Sequence, residues 1–339
     1  MTDYKELRLK ASSSPHIRTK EDARSIMIDV LIALLPALAF AVYNFGLRAL
    51  TVTLFSMAGC VAFEALYRLI SRQKQTVGDC SAAVTGMLLA FVCPVTIPYW
   101  TILIGDFFAI VIVKQLYGGI GKNFLNPALA GRAFLFSWAD IMSTWAAPGT
   151  RAAVWGAVDV VTYPTPMSYL HANDLSGLQA VYDPVQMFIG QHGGSLGEVS
   201  AMCLLLGFVW LLGRKVILWN IPVSYVGTVA VLTFLFPRGN DPMQWMLYNV
   251  LGGGLLLGAI FMATDYVTSP VSRRGQIIFG VGCGLITVFI RYFGSYNEGV
   301  CYSILCMNLV VWLIDKYVKP RRFGVPRTSI FKKKEASGK

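Results

Sequence analysis

Two threonines lie three residues apart in the stretch DVVTYPTPM, residues 159–167, and prolines stand on both sides of the second one. A threonine hydroxyl can attack an activated phosphate. Pro164 and Pro166 fix φ at their own positions, and a residue that precedes proline is pushed toward an extended backbone. Thr165 should therefore be extended, with its side chain held out. Thr162 offers the same chemistry, and Asp159 places a carboxylate three residues before it. A second group is YGGIGKNFLNPALAGRA, residues 117–133. Gly118, Gly119 and Gly121 let the backbone leave helical geometry and let a ligand approach closely. Pro127 suits the first turn of a new helix, which leaves Asn123 and Asn126 beside a helix N-terminus with free N–H groups. Such a broken helix can hold a polar planar ligand; equally, Asn126 can serve as a plain cap. The third group is acidic. Asp29, Glu64, Asp106, Asp265 and Glu298 fall within or at the ends of apolar runs, where a charge costs several kcal/mol unless it is paired or hydrated. Asp29 and Asp265 also suit a water-facing boundary. Asp106, Asp265 and Glu298 are candidates for coupling to an ion.

What must position these groups is a membrane framework. The chain has 339 residues, 55% of them hydrophobic and 14% charged. Its apolar residues fall into ten runs, several broken by Gly or Pro, near the length needed to cross a hydrocarbon core about 30 Å thick. They cover 25–46, 48–70, 80–93, 97–116, 127–145, 197–213, 216–236, 243–264, 275–293 and 299–318. The first 24 residues are polar, and the run behind them is too long for a signal peptide and lacks a small-residue cleavage site, so no cleaved signal is expected.

The formal charge of +11 follows topology rather than nucleic acid, which is not expected as a partner. With a cytoplasmic N-terminus and ten spans, 25 of the 29 Lys and Arg residues face the cytoplasm, leaving Arg48, Arg151, Arg238 and Arg291 outside. That is the bias of cytoplasmic loops in membrane proteins. Both termini are expected in the cytoplasm. The basic tail, 319–339, is expected to lie against anionic lipid.

One less apolar segment, 146–196, separates runs 25–145 from runs 197–318, five on each side, and an odd number of spans turns one half over relative to the other. TGMLLA (85–90) with KQLYGGIGKN (114–123) is echoed by GGGLLLGA (252–259) with RYFGSYNEG (291–299). Inverted repeats with interrupted helices commonly enclose a site near the midplane. The fold class expected is an all-α integral membrane protein of about ten transmembrane helices in two inverted five-helix repeats, with a cytoplasmic N-terminal tail, 1–24. Segment 146–196 lies outside, too short for an independent domain, long for a connector, and rich in aromatic residues and proline rather than in disorder-promoting ones. It shows no obvious helix or strand pattern. Seven cysteines form no CxxC pair and three histidines no i, i+4 pair, which points to no metal site and to buried free thiols at Cys60, Cys203, Cys283 and Cys306.

KQLYGGIGKNFLNPALAGRAFLF, residues 114–136, closely resembles a stretch of the membrane family that contains the D subunit of the Rnf electron-transport complex and the B subunit of the sodium-pumping NADH:quinone oxidoreductase. VTGMLLAFVCP (84–94) and GAIFMATDYVTSP (258–270) resemble the same family in the same order, and the resemblance runs from about 25 to 318. Length favours the Rnf protein, because the quinone-reductase relative usually carries a longer N-terminal extension. Within this resemblance Asp159-x-x-Thr162-x-Pro164-Thr165 is similar to the flavin-attachment motif Asp-x-x-[Ser/Thr]-small-Ala-Thr, departing from it at Tyr163 and Pro164. It implies that a flavin transferase joins FMN through its phosphate to Thr165, with Asp159, Thr162 and Pro164 as the recognition motif. It also implies a non-covalent riboflavin near Asn123, Asn126, Gly119 and Gly121. The function implied is a flavoprotein subunit of an ion-translocating ferredoxin:NAD+ oxidoreductase complex, coupled to Na+ or H+, in which partner subunits handle the soluble carriers. The alternatives are the quinone-reductase protein and, from another class, an inverted-repeat solute channel or transporter without flavin.

Overall fold

Each of the ten apolar runs folds as helix, but few of the helices are long. A computed structural model describes residues 22–155, 162–294 and 299–319, and among these the regular structure is entirely helical. Helices α1 (Ala23–Phe45) and α2 (Leu47–Ile70) are separated only by Gly46, whose φ of 80° turns the chain. Then come α3 (Ser81–Phe91), α4 (Tyr99–Phe107) and its π-helical continuation Phe108–Gln115. They are followed by α5 (Pro127–Leu135) and one turn, α6 (Ala139–Met142). Segment 146–196 holds α7 (Pro166–His171), α8 (Leu175–Val181) and α9 (Pro184–Ile189). The second half consists of α10 (Ala201–Gly213), α11 (Asn220–Leu235) and α12 (Pro242–Leu251). After these come α13 (Leu255–Leu257) with a π-helical continuation Gly258–Met262, α14 (Arg273–Phe293) and α15 (Val300–Tyr317).

Among the described residues four helices, α1, α2, α14 and α15, are long and apolar enough to cross a membrane, and α12 with Leu255–Met262, bent by 59°, makes a fifth. α3, α10 and α11 are apolar but only 11, 13 and 16 residues long. Ten full-length spans are thus more than the helix lengths show. Breaks explain the shortfall. α12 ends at Gly252, and Gly253 and Gly254 follow with φ of 70° and 64°. Irregular backbone at membrane depth is tolerated only where protein satisfies its polar groups, and two buried arginines do so. Arg48 donates to the carbonyls of Val95 (2.9 Å), Ile97 (3.2 Å) and Ala153 (2.8 Å). Arg291 donates to those of Asn249, Gly252 and Gly253 at the α12–α13 break.

The two halves share part of a neighbour pattern. α2 packs on α3 and α4, as α11 packs on α12 and α14; α5 packs on residues 99–115, as α15 packs on α14. Equivalent helices also meet across the halves, α1 with α10 and α5 with α15. Arg214 next to α10 pairs with Asp29 of α1 at 3.1 Å, so Asp29 is a tie between the halves.

Three expectations change. Segment 146–196 is helical in part, because Pro166 and Pro184 open α7 and α9 and Asp174 caps α8. Its helices bury Met167, Leu170, Leu178, Tyr182 and Met187 against Trp245 and Tyr248 of α12. The side chain of Asn44, near the end of α1, donates to Gly190 O at 2.9 Å, which seats the segment on the C-terminal end of α1. Second, Arg48, Arg68, Lys114, Arg132 and Arg291 are buried, so these charges report packing rather than topology, though the remaining ones keep the same bias. Third, Cys306 is exposed rather than buried. The tails, 1–24 and 319–339, lie almost wholly outside the described residues.

Candidate functional site

A cavity of about 360 Å³ opens beside the N-terminal end of α1, a size within the range of small-molecule pockets, roughly 300–1,000 Å³. Ile26, Met27 and Val30 of α1, Val84 and Leu88 of α3, and Ile260 and Phe261 of the second half give it apolar walls. Its polar end gathers Ser81, Lys114, Gly121, Asn123, Asn126 and Asp265. Four of the residues singled out in the sequence, Gly121, Asn123, Asn126 and Asp265, thus meet there.

The polar end is built around a buried ion pair. Lys114 Nζ, on the π-helical stretch, lies 2.8 Å from Glu64 Oε2 of α2 and donates also to Ser81 Oγ at 2.6 Å. Both charged side chains are almost wholly buried. The sequence marked Glu64 as an acid in need of a partner but not which one, and it counted Lys114 only among the cytoplasmic-side charges. Asn123 Nδ2 donates to Leu125 O at 3.0 Å. Asn126 is the N-cap of α5: its Oδ1 accepts from Ala128 N and Leu129 N, and its Nδ2 donates to Met262 O at 3.1 Å across the halves. For Asn126 the cap reading therefore holds, while Asn123 is the asparagine less committed to the fold. Asp265 accepts from Thr268 Oγ1 at 3.0 Å. Loss of water around its carboxyl raises its pKa above the ordinary range, and Thr268 and the charge of Lys114 are among the groups that offset this in part.

Gly118, Gly119 and Gly121 have φ of 110°, 90° and 87°, conformations that favour glycine. Gly121 lines the cavity. Gly119 does not; a Cβ there would collide with the Arg68 guanidinium.

The threonine stretch lies elsewhere. Thr165 precedes α7 with φ −83° and ψ 157°, extended as its prolines require, and its hydroxyl makes no cap bond to that helix. Around it the main chain is pinned: Tyr182 OH donates to Pro164 O at 2.7 Å, Ser168 Oγ to Thr165 O at 2.7 Å, and Tyr163 N to Trp145 O at 2.9 Å. Tyr163 packs edge-on against Tyr182. Thr162 and Pro164 are exposed, and Asp159 lies outside the described residues. This segment sits at one end of α1 and the cavity at the other, and 23 residues at about 1.5 Å rise span roughly 35 Å.

Asp106 stands apart from both, completely buried, with Oδ1 near Ser56 Oγ and Cys60 Sγ. Glu298 lies outside the described residues. Among the described residues no cluster of His, Cys, Asp and Glu could hold a metal. A buried turn that the sequence did not single out caps α3: Leu196 N donates to Cys93 O at 3.1 Å and Gly197 N to Phe91 O at 2.8 Å. Glu198 Oε1 accepts from Ser195 N beside it.

The helices, their paired arrangement and the buried charges define an integral, multi-pass membrane protein with a ligand-sized cavity shared by its two halves. Residues 10–324 match the NQR2, RnfD, RnfE family, and the chain belongs to it. It is 45% identical over 333 residues to the D subunit of the Na(+)-translocating ferredoxin:NAD(+) oxidoreductase complex of Acetobacterium woodii, covering 98% of this chain and 99% of that one. It is 43% identical to the counterpart from the proton-translocating complex of Clostridium ljungdahlii, covering 93% and 96%. With the D subunit of the ion-translocating oxidoreductase complex of Stutzerimonas stutzeri it shares 40% identity, covering 88% and 91%.

Proposed function

We propose that this chain is the membrane-embedded flavin-carrying member, of the RnfD type, of an ion-translocating ferredoxin:NAD+ oxidoreductase complex, with FMN attached to Thr165 and a non-covalent flavin of the riboflavin type in the cavity. The observation that carries the reading is the cavity, which combines apolar walls with a polar end. Lys114 there is a donor and Asp265 is an acceptor, while Ser81, which gives its hydroxyl hydrogen to Asp79, holds Lys114 in place, a set suited to the polar edge of a planar ring. Relatives named as members of such complexes support it over the quinone-reductase alternative and over a transporter without redox groups. A bound flavin supplies electron transfer, and the protein supplies position and electrostatics.

Lys114 places a positive charge at the polar end, and Glu64 offsets it, so the pair sets the net charge a ligand meets. Ile26, Val30, Ile260 and Phe261 exclude water from the rest of the ring. Asn123 orients the polar edge, while Asn126 holds α5 and the second half in place. At the other end of α1 the extended backbone of Thr165 presents its hydroxyl to a transferase, with Asp159, Thr162 and Pro164 as the motif read by that enzyme. Other subunits exchange electrons with the soluble carriers, and Na+ or H+ is the ion moved. The protein sits in the inner membrane of a prokaryotic cell with both termini cytoplasmic.

The test separates two pools of flavin in complex purified from cells that express an active flavin transferase. Thr165→Val, nearly isosteric, should abolish flavin fluorescence of the denatured chain and leave the acid-extractable pool. Asn123→Leu should reduce the extractable pool and leave the covalent one. Wild-type complex in which this chain carried neither pool would refute the proposal, and FMN mapped to Thr162 would overturn the choice of acceptor.

A further inference from the structure

Asp106 is a buried acid that the flavin reading does not use, and the most deeply buried of these among the described residues. It sits where α4 passes into its π-helical continuation, facing α2, and is wholly inaccessible. Its neighbours leave a hydrogen-counting problem. Ser56 Oγ lies 2.6 Å from Asp106 Oδ1 and 2.9 Å from the carbonyl oxygen of Gly86 on α3. A hydroxyl has one hydrogen to give. If Ser56 donates it to Gly86, the short contact to Asp106 needs a hydrogen of its own, and the only group that can carry it is the carboxyl.

We propose that Asp106 is a proton-binding site: a carboxylic acid that holds its proton on Oδ1, donates it to Ser56 Oγ, and through Ser56 is linked to the Gly86 carbonyl. The remaining contacts agree. Cys60 Sγ, at 3.2 Å, is a neutral and weak donor, and Asp106 Oδ2 has no hydrogen-bond partner. An ionised carboxylate would spread charge over both oxygens, and burying it with only neutral donors on one of them is the more costly state. A neutral acid leaves one carbonyl oxygen unbonded, a smaller penalty.

The titratable and charged groups around it do not supply a counterion. Cys60 faces it from α2; Cys93, just past α3, and Arg132 of α5 lie beyond, and Arg132 stacks over the Phe136 ring. Glu64 of α2 and Lys114, further along the π-helical stretch, are paired with each other.

Packing favours a proton over a metal cation. A Cβ on Gly59 would sit 2.8 Å from Asp106 Oδ2 and 2.9 Å from Leu103, and one on Gly86 would sit 2.6 Å from Ser56 O. The oxygens at hand are one carboxyl, one hydroxyl and one carbonyl, too few to replace the hydration shell of Na+. The inference does not depend on the flavin reading, since no flavin contact enters it.

Infrared spectroscopy of the purified complex tests it. The wild type should show a carbonyl-stretch band of a protonated carboxylic acid, shifted by ¹³C-aspartate labelling, absent from Asp106→Asn and unchanged by sodium chloride. Ser56→Ala, which removes the acceptor and keeps the acid, should move that band to higher frequency. This variant and the isotope shift in the wild type keep the test decisive if Asp106→Asn fails to assemble. The proposal is overturned if no such band is present, if it persists in Asp106→Asn, if Ser56→Ala leaves it in place, or if sodium chloride removes it. The last result would assign a sodium site instead.

Discussion

Glu64 and Lys114 are 50 residues apart in the chain and meet at 2.8 Å with side chains 1% and 4% exposed. Such a pair is costly to break from one side, because the surviving charge stays buried. Lys114→Met should therefore destabilise the chain by about 3–5 kcal/mol, and Lys114→Met with Glu64→Gln should recover much of that loss. Thermal unfolding in detergent measures both, and a double variant as unstable as the single one would show that the pair is not the source. Proline acts through its own ring and its immediate neighbours, so the extended conformation of Thr165 was legible from three residues. The Lys114 pairing was not, because nothing local tells a lysine at the end of an apolar run whether it faces water or a carboxylate on another helix. Asn126 falls between these cases: its cap was legible from Asn-Pro, but its bond to Met262 needed the other half of the molecule.

At the scale of elements, hydrophobic runs located the helices and glycine and proline located the breaks, but not what the breaks pack against. Gly86 shows the difference. Its missing Cβ would meet Ser56 O at 2.6 Å and Met57 Cα at 2.8 Å, both backbone atoms of α2, so no rotamer change can relieve the contact. Close approach of helices at small residues is a common device in membranes. Gly86→Ala should separate α2 from α3 and lower the midpoint of thermal unfolding, whereas Gly78→Ala, with nothing within 4 Å, should leave it near wild type. Equal midpoints would mean that α2 and α3 do not depend on that approach. The helices of segment 146–196 were missed because each is six or seven residues long, too short for a periodic pattern to register. Their start signals, Thr165-Pro166, Asp174 and Asp183-Pro184, were present all the same.

For the whole molecule, a division into five apolar runs and five was legible, while the pairing of α1 with α10 and α5 with α15 emerged only in three dimensions. The threonine segment and the cavity lie at opposite ends of α1, which predicts opposite sides of the membrane. Single cysteines at His171 and Ser71, both exposed, in a background without native thiols should react with an impermeant reagent from opposite faces. Intact cells should label the first, and inverted vesicles the second. Labelling of both from one face would overturn this arrangement. The cavity has a further consequence, for biosynthesis. Its walls join Ala23 to Val30 with Ile260 to Val267, segments translated near the beginning and near the end. At roughly 5–20 residues per second, the first wall waits on the order of ten seconds or more for the second. A ligand of this cavity can be captured only after most of the chain has left the ribosome and entered the bilayer. Thr165 emerges far earlier, so the attachment proposed there would be open to the chain well before the cavity could be filled.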